Sequence, residues 1–208
     1  MNRKKLFIGG VLFFGIYCST LQAQSLLIVP YAGISKDMRS VTSNRWKMGF
    51  DLGLNIFSRV SNSLWLGGRV GYHHWSIDGE GWLKDLFASY FVFESASGSQ
   101  SVFEIVPSLR YSFTRSESGL SVSGQAGLGL FIVSASEVEV VGTYHLQYSS
   151  GEEGHVYGSN TMLGFGLQLG LPIVLGKAVE IMPVYSLYLA GGDFYHHIAF
   201  NLGYHFGK

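Results

Sequence analysis

Six charged side chains fall at positions where β-strand alternation would turn them to one side: Lys47, Asp51, Arg69, Glu104, Arg110 and Glu180. Three are cations and three are anions, so the set balances. His73 and His197 share that side by the same parity. Charges of both signs in an enclosed space suit a neutral polar plug or an ion pathway. Imidazoles added to them suggest a general base or a metal site. A buried charge without a partner is costly, so the balanced set is read as a plug of ion pairs. A turn centred near Val60–Ser61 would set Asp51 opposite Arg69, Gly53 opposite Gly67 and Lys47 opposite His73. No metal site is expected, because His73 and His197 lie on strands that are not sequence neighbours and no i, i+4 ligand spacing is present. No catalytic residue is assigned either. His73 or His74 with Ser76 and Asp78 is the nearest local set for acyl chemistry, but adjacency at a strand end does not make a triad.

The elements that must position these charges are strands. From Trp46 to Ile56 every second residue is large and apolar: Trp46, Met48, Phe50, Leu52, Leu54 and Ile56. The intervening residues are polar or glycine. The pattern recurs and predicts eight strands, over Leu26–Ser35, Trp46–Phe57, Leu64–Trp75, Val102–Phe113, Leu120–Val133, Met162–Ile173, Val179–Leu189 and His197–Phe206. Each approaches the roughly 9–11 residues of a tilted membrane strand. Short connections (Ser58–Ser63, Thr114–Gly119, Val174–Ala178) alternate with longer ones (Lys36–Arg45, Ser76–Ser101, Ser134–Thr161), and Ala190–His196 is of modest length. This asymmetry fits short periplasmic turns and long outer loops.

Composition points the same way. Charged residues are 13% of the 208 and aromatic residues 15%, with 28 glycines. A soluble domain carries about 25% charged residues. The first 23 residues read as a signal peptide: Arg3, Lys4 and Lys5 precede the apolar run Leu6–Ile16, and Leu21-Gln22-Ala23 offers a cleavage site. Residues 24–208 then form one domain with a charge of about −3, which offers no basic footprint for nucleic acid. Cys18, the single cysteine, lies in the leader after Tyr17, which is too bulky for the usual lipoprotein cleavage site, so neither a disulfide nor a lipid anchor is expected.

Polarity decides which face looks outward. The polar face is built mostly from small residues, such as Gly67, Gly71, Ser108, Ser123, Gly127 and Gly166, and has too few charges for a soluble exterior. The other face carries Phe103, Ile105, Leu109 and Tyr111 on the fourth strand, and Leu163, Phe165, Leu167 and Leu169 on the sixth. Strand-end aromatics Trp46, Tyr72, Phe113, Tyr185 and Tyr204 are candidates for interfacial girdles. The predicted fold is an all-β, eight-stranded antiparallel up-and-down transmembrane β-barrel with a filled lumen.

The chain resembles the small eight-stranded outer-membrane β-barrel group, the OmpA transmembrane domain and OmpX-like proteins. Asn201-Leu202-Gly203-Tyr204-His205-Phe206 is similar to the C-terminal signal of such barrels. The resemblance implies an outer-membrane location, contact with outer-membrane lipids, and recognition by the barrel assembly machinery through a C-terminal strand ending at Phe206. It implies no activity and no cofactor.

Two loops suggest contacts. Trp82, Leu83, Leu86, Phe87, Tyr90 and Phe91 recur as one stripe of a short helix, although a strand from Tyr90 to Phe93 is equally open. This stripe is a candidate contact surface for an extracellular or host-surface ligand. The third long loop alternates through Glu137–Val141 and Thr143–Tyr148, predicting a projecting hairpin with Gly151-Glu152-Glu153-Gly154 as its tip. The expected role is structural or surface-interactive, in envelope integrity or adhesion. A lipid A-modifying enzyme and a narrow pore are the alternatives.

Overall fold

The computed structural model describes residues 25–38, 46–79, 81, 91–114, 119–146, 149–176 and 178–206. The proposed leader, residues 1–23, lies outside the described residues.

The described residues form twelve strands: β1 Leu26–Asp37, β2 Gly49–Arg59, β3 Leu64–Ser76, β4 Phe91–Ser97, β5 Ser99–Ser112, β6 Leu120–Ala135, β7 Val138–Leu146, β8 Ser149–Tyr157, β9 Asn160–Gly170, β10 Ile173–Leu175, β11 Val179–Ala190 and β12 Asp193–Tyr204. All pairings are antiparallel. The order β1-β2-β3-β5-β6-β9-β11-β12 closes when β12 pairs back to β1, from Tyr31 opposite Gly203 to Asp37 opposite His197. β10 resumes β9 after Leu171-Pro172 and keeps the same neighbours, β6 and β11. The two are one barrel strand, interrupted where proline has no N–H to donate. Eight strands closed in this way leave no edge.

Alternation sets the two faces. Along β5, Gln100, Val102, Glu104, Val106, Ser108 and Arg110 are buried, whereas Phe103, Ile105, Leu109 and Tyr111 are exposed. β9 exposes Leu163, Phe165, Leu167 and Leu169, and β12 exposes Phe200, Leu202 and Tyr204. β1, apolar on both faces at its start, buries Leu27, Val29 and Tyr31. Along the middle of these strands most large apolar side chains therefore point away from the barrel axis.

The β2–β3 register differs from the expected one. Asp51 lies opposite His73, Gly53 opposite Gly71 and Asn55 opposite Arg69. The turn closes later, where the Val60 and Ser61 amides both donate to the Leu64 carbonyl. The slip moves each partner by four residues, an even number, so every inward residue stays inward. Trp46 and Lys47 also depart from expectation. β2 begins at Gly49, and before it the alternation breaks, with Lys47 and Met48 both exposed. Lys47 is therefore outside the lumen. Trp46 bridges to Ile77 and is 4% exposed, inside the barrel mouth and not in an interfacial girdle.

Connections at the end opposite β1's start and β12's finish hold a second sheet, ordered β4-β7-β8. β7 and β8 form the expected hairpin, but Leu146 pairs with Ser149, so Gly151–Gly154 runs within β8 and is not the tip. β4 begins at Phe91 and is separated from β5 only by Gly98, in favour of the strand reading of that loop. Trp82, Leu83, Leu86, Phe87 and Tyr90 lie outside the described residues. The modest Ala190–His196 connection is a two-residue turn, with Gly191 at φ 60° and Gly192 at φ 96°.

Those φ values exclude most side chains at low energy. Gly192→Ala is expected to destabilise the barrel by about 1–2 kcal/mol, read from urea unfolding in detergent. An unchanged midpoint would show that the turn relaxes freely.

Candidate functional site

The interior of the barrel is a stack of three layers. At the outer mouth Trp46, Trp75, Ile77, Val102, Val133, Val138, Val140, Phe131, Tyr188 and Tyr195 form an apolar cap. Its rings stack in order: Phe131 on Tyr188 with centroids 4.4 Å apart, and Tyr188 on Tyr195 at 5.4 Å, both pairs nearly parallel. β7 contributes Val138 and Val140, so the outer sheet is packed into this cap.

Below the cap lies the main ionic layer. Arg69, on β3, is 1% exposed. Its Nη2 donates to Asp51 Oδ2 on β2 at 2.8 Å, and its Nε donates to Glu104 Oε1 on β5. The Tyr31 ring of β1 lies 4.0 Å from the guanidinium carbon. Gln168 of β9 donates to Glu104 Oε2 at 2.9 Å and to Ser186 of β11 at 3.1 Å. One guanidinium thus engages side chains from three other strands, and the chain of polar contacts runs on through Glu104 to two more. The long arginine stem explains how Asp51 is reached although Asn55 is its backbone neighbour. Sequence parity placed Asp51, Arg69 and Glu104 inward. It did not single out Tyr31, Gln168 or Ser186, although each shares the inward parity that would have found it.

Room for this layer comes from glycines. A Cβ on Gly71 would lie 2.6 Å from both Glu104 Oε1 and the Tyr31 hydroxyl. A Cβ on Gly53 would lie 2.2 Å from that same hydroxyl. Eight strands enclose a narrow interior, and two large side chains fit there only where facing residues have none.

His73 is fully buried between the two carboxylates. Its Nδ1 is 3.3 Å from Asp51 Oδ1 and its Nε2 is 3.3 Å from Glu104 Oε2. The His197 ring lies 4.2 Å from the His73 ring, across the lumen. β3 and β12 are not neighbours in the sheet, but barrel closure brings their inward side chains together. The separation of these strands in sequence is therefore no argument against a joint site.

The third layer is at the turn end. Arg110 Nη2 donates to Glu180 Oε2 at 2.7 Å, and His205 Nε2 shares the same oxygen at 2.7 Å. A cavity of about 300 Å³ lies beside it, lined in part by Leu27, Trp65, Arg110, Ser123 and His205. Of the six predicted lumen charges, Lys47 alone is placed elsewhere.

His74 and Ser76 point away from His73, to the barrel exterior. His74 Nδ1 is 2.9 Å from Ser101 Oγ, which also meets the Tyr72 hydroxyl at 2.9 Å. The local set of His73, His74, Ser76 and Asp78, not assigned as catalytic from the sequence, is split between two faces.

No protein-family model matches the sequence, and no curated protein sequence is significantly similar to it. Among solved structures, the chain is similar to the attachment invasion locus protein Ail of Yersinia pestis, with 16% identity, 88% of this chain and 97% of that chain covered, and a TM-score of 0.44. It is similar to neisserial surface protein A, with 15% identity, 88% and 97% coverage and a TM-score of 0.43. It is also similar to a major outer membrane protein of Thermus thermophilus, with 11% identity, 88% and 99% coverage and a TM-score of 0.44.

Removing the guanidinium would strand two buried carboxylates. Arg69→Ala is expected to cost about 3–5 kcal/mol of barrel stability, measured by urea unfolding in detergent. Adding Asp51→Asn and Glu104→Gln should recover part of that loss; a triple variant no more stable than Arg69→Ala would show that packing, and not charge, holds the layer. Gly71→Ala should cost about 1–3 kcal/mol by overpacking. With apolar side chains outward, ion pairs within and every barrel strand paired on both sides, the chain has the architecture of a small eight-stranded outer-membrane β-barrel.

Proposed function

We propose that the chain is an integral protein of a bacterial outer membrane whose barrel is an anchor and whose outer sheet meets extracellular or host-surface ligands. The observation that carries this reading is the distribution of polarity. A belt of exposed Leu, Ile, Phe and Tyr side chains surrounds a lumen closed by ion pairs and by stacked rings. Such an exterior is stable against acyl chains, and closed barrels satisfy every backbone group there. A row of hydroxyls, Ser101 beside Ser134 and Ser134 3.2 Å from Thr161, follows Phe103, Ile132 and Leu163 and ends the apolar belt toward the outer sheet. The outward Tyr204 and Phe206 at the chain's last strand support insertion by the barrel assembly machinery.

Three readouts test this reading. The protein is expected to sediment with the outer membrane and to resist alkaline extraction. The barrel refolded into a planar bilayer is expected to add no steady conductance, because buried ion pairs and stacked rings occupy the lumen; stable single-channel steps would restore the pore. Deleting residues 138–157 is expected to leave a heat-modifiable barrel and to lower attachment of cells to matrix-coated surfaces severalfold. Undiminished attachment would remove the surface role.

A second reading rests on the Ser101–His74 hydrogen bond at the outer rim of the lipid-facing surface. There Ser101 Oγ would attack an acyl ester carbonyl while His74 Nδ1 takes its proton; the ester C–O bond would break, the proton would pass from His74 to the departing alcohol oxygen, and water would release the acyl group from Ser101 as a fatty acid. Lipid A from cells carrying the wild-type protein or Ser101→Ala, compared by mass spectrometry, tests it. Identical acyl patterns in these cells and in cells lacking the protein would end the enzyme reading.

A further inference from the structure

One buried group has a role that the ion pairs do not explain. His197 is 0% exposed, and neither of its ring nitrogens has a hydrogen-bond partner among the described residues. A buried polar atom left unpaired costs about 1–3 kcal/mol. The ring is not at a wet rim: Trp75 lies 5.6 Å from it and Tyr188 5.9 Å. It faces His73 and Glu104, and the donor atoms of these three residues all lie within 4.8 Å of one another.

The surrounding charges leave room for a cation. Asp51 and Glu104 contribute two negative charges and Arg69 one positive charge. Arg69 is engaged with Asp51 Oδ2 and Glu104 Oε1, which leaves Glu104 Oε2 directed at His73. Gln168 holds that Oε2 from another side. A proton on His73 would neutralise the cluster, with Nδ1 and Nε2 facing the two carboxylates. It would leave His197 unsatisfied. A shared cation engages one nitrogen of each ring.

Geometry points to the same answer. Donors bound to zinc at about 2.0–2.2 Å in a tetrahedron lie about 3.3–3.6 Å apart. His73 Nε2 and Glu104 Oε2 are 3.3 Å apart. His73 Nδ1 meets Asp51 Oδ1, also at 3.3 Å, in the manner of a carboxylate that orients a ligating imidazole from behind. We propose that His73 Nε2, Glu104 Oε2 and a ring nitrogen of His197 bind one divalent transition-metal ion of zinc type inside the barrel. Two imidazoles and a carboxylate favour such an ion over calcium or magnesium, which take oxygen ligands. The ion joins β3, β5 and β12 across the lumen, a connection that the backbone ladder does not make. Because the outer cap covers the site, the ion enters as the barrel closes.

The test uses the full barrel refolded from urea into detergent with excess zinc chloride, then desalted, with folding verified by heat-modifiable gel mobility. One tightly held zinc per barrel is expected by elemental mass spectrometry, and refolding with cobalt(II) should give the visible absorption of a four- or five-coordinate ion. His197→Gln should lose the bound metal while remaining folded. No retained zinc in folded wild type, or undiminished zinc in folded His197→Gln, overturns the site. Should that variant fail to fold, X-ray absorption of the zinc-loaded wild type decides: a shell with two imidazoles and a carboxylate sustains the assignment, and a shell without paired imidazoles overturns it.

Discussion

Arg69 is a cation sealed inside the barrel, and the arrangement around it follows from that fact. A guanidinium cannot shed its charge, so the interior must supply anions. Asp51 and Glu104 do so from the two strands that flank β3. Those anions then constrain their own neighbours. Glu104 collects Gln168, Gln168 collects Ser186, and His73 is held between both carboxylates. The Tyr31 ring covers the guanidinium face, where attraction between cation and ring is strengthened by the absence of water. The network binds six of the eight barrel strands to one another through side chains, over and above the backbone ladder.

The exterior explains why such an expensive interior is tolerated. A soluble domain would place its apolar side chains at the centre and leave charges in water. Here Leu, Ile and Phe face outward along β5, β9 and β12, so the centre is filled by what alternation leaves over. Small residues give the strands room to close at eight, and a few large polar side chains fill the remaining volume. Gly53 and Gly71 make this concrete, since the Tyr31 hydroxyl and the Glu104 carboxylate occupy the space that their side chains would need. The aromatic cap completes the seal, and because β7 contributes to it, the outer sheet is coupled to the lumen and not merely tethered above it.

Period-two alternation was the most legible feature of the chain. Gln100 to Tyr111 of β5 and Leu163 to Leu169 of β9 face the sides that their positions predict, because a closed antiparallel ladder preserves parity along a strand. Register was less legible. The β2–β3 turn closes at Leu64 and not around Ser61, and nothing in Val60-Ser61-Asn62-Ser63 selects between these closures by composition alone. Lys47 and Trp46 failed for a related reason: parity holds only inside a paired strand, and β2 starts at Gly49. The Gly151–Gly154 segment looked like a tip because it is glycine-flanked and acidic, yet cross-strand pairing with Val141–Tyr144 absorbed it into β8.

By itself the sequence determined the class of fold, the number of barrel strands and the side that most residues within the paired strands face. These are local properties, carried by alternation, by small residues on one face and by the scarcity of charge on the other. Only the tertiary structure decided which inward groups touch. Asp51 reaches Arg69 diagonally, and His73 meets His197 although more than a hundred residues and two intervening strands separate them. Closure of a narrow tilted barrel sets those distances, and closure is a property of all eight strands together, which no stretch of the chain encodes alone.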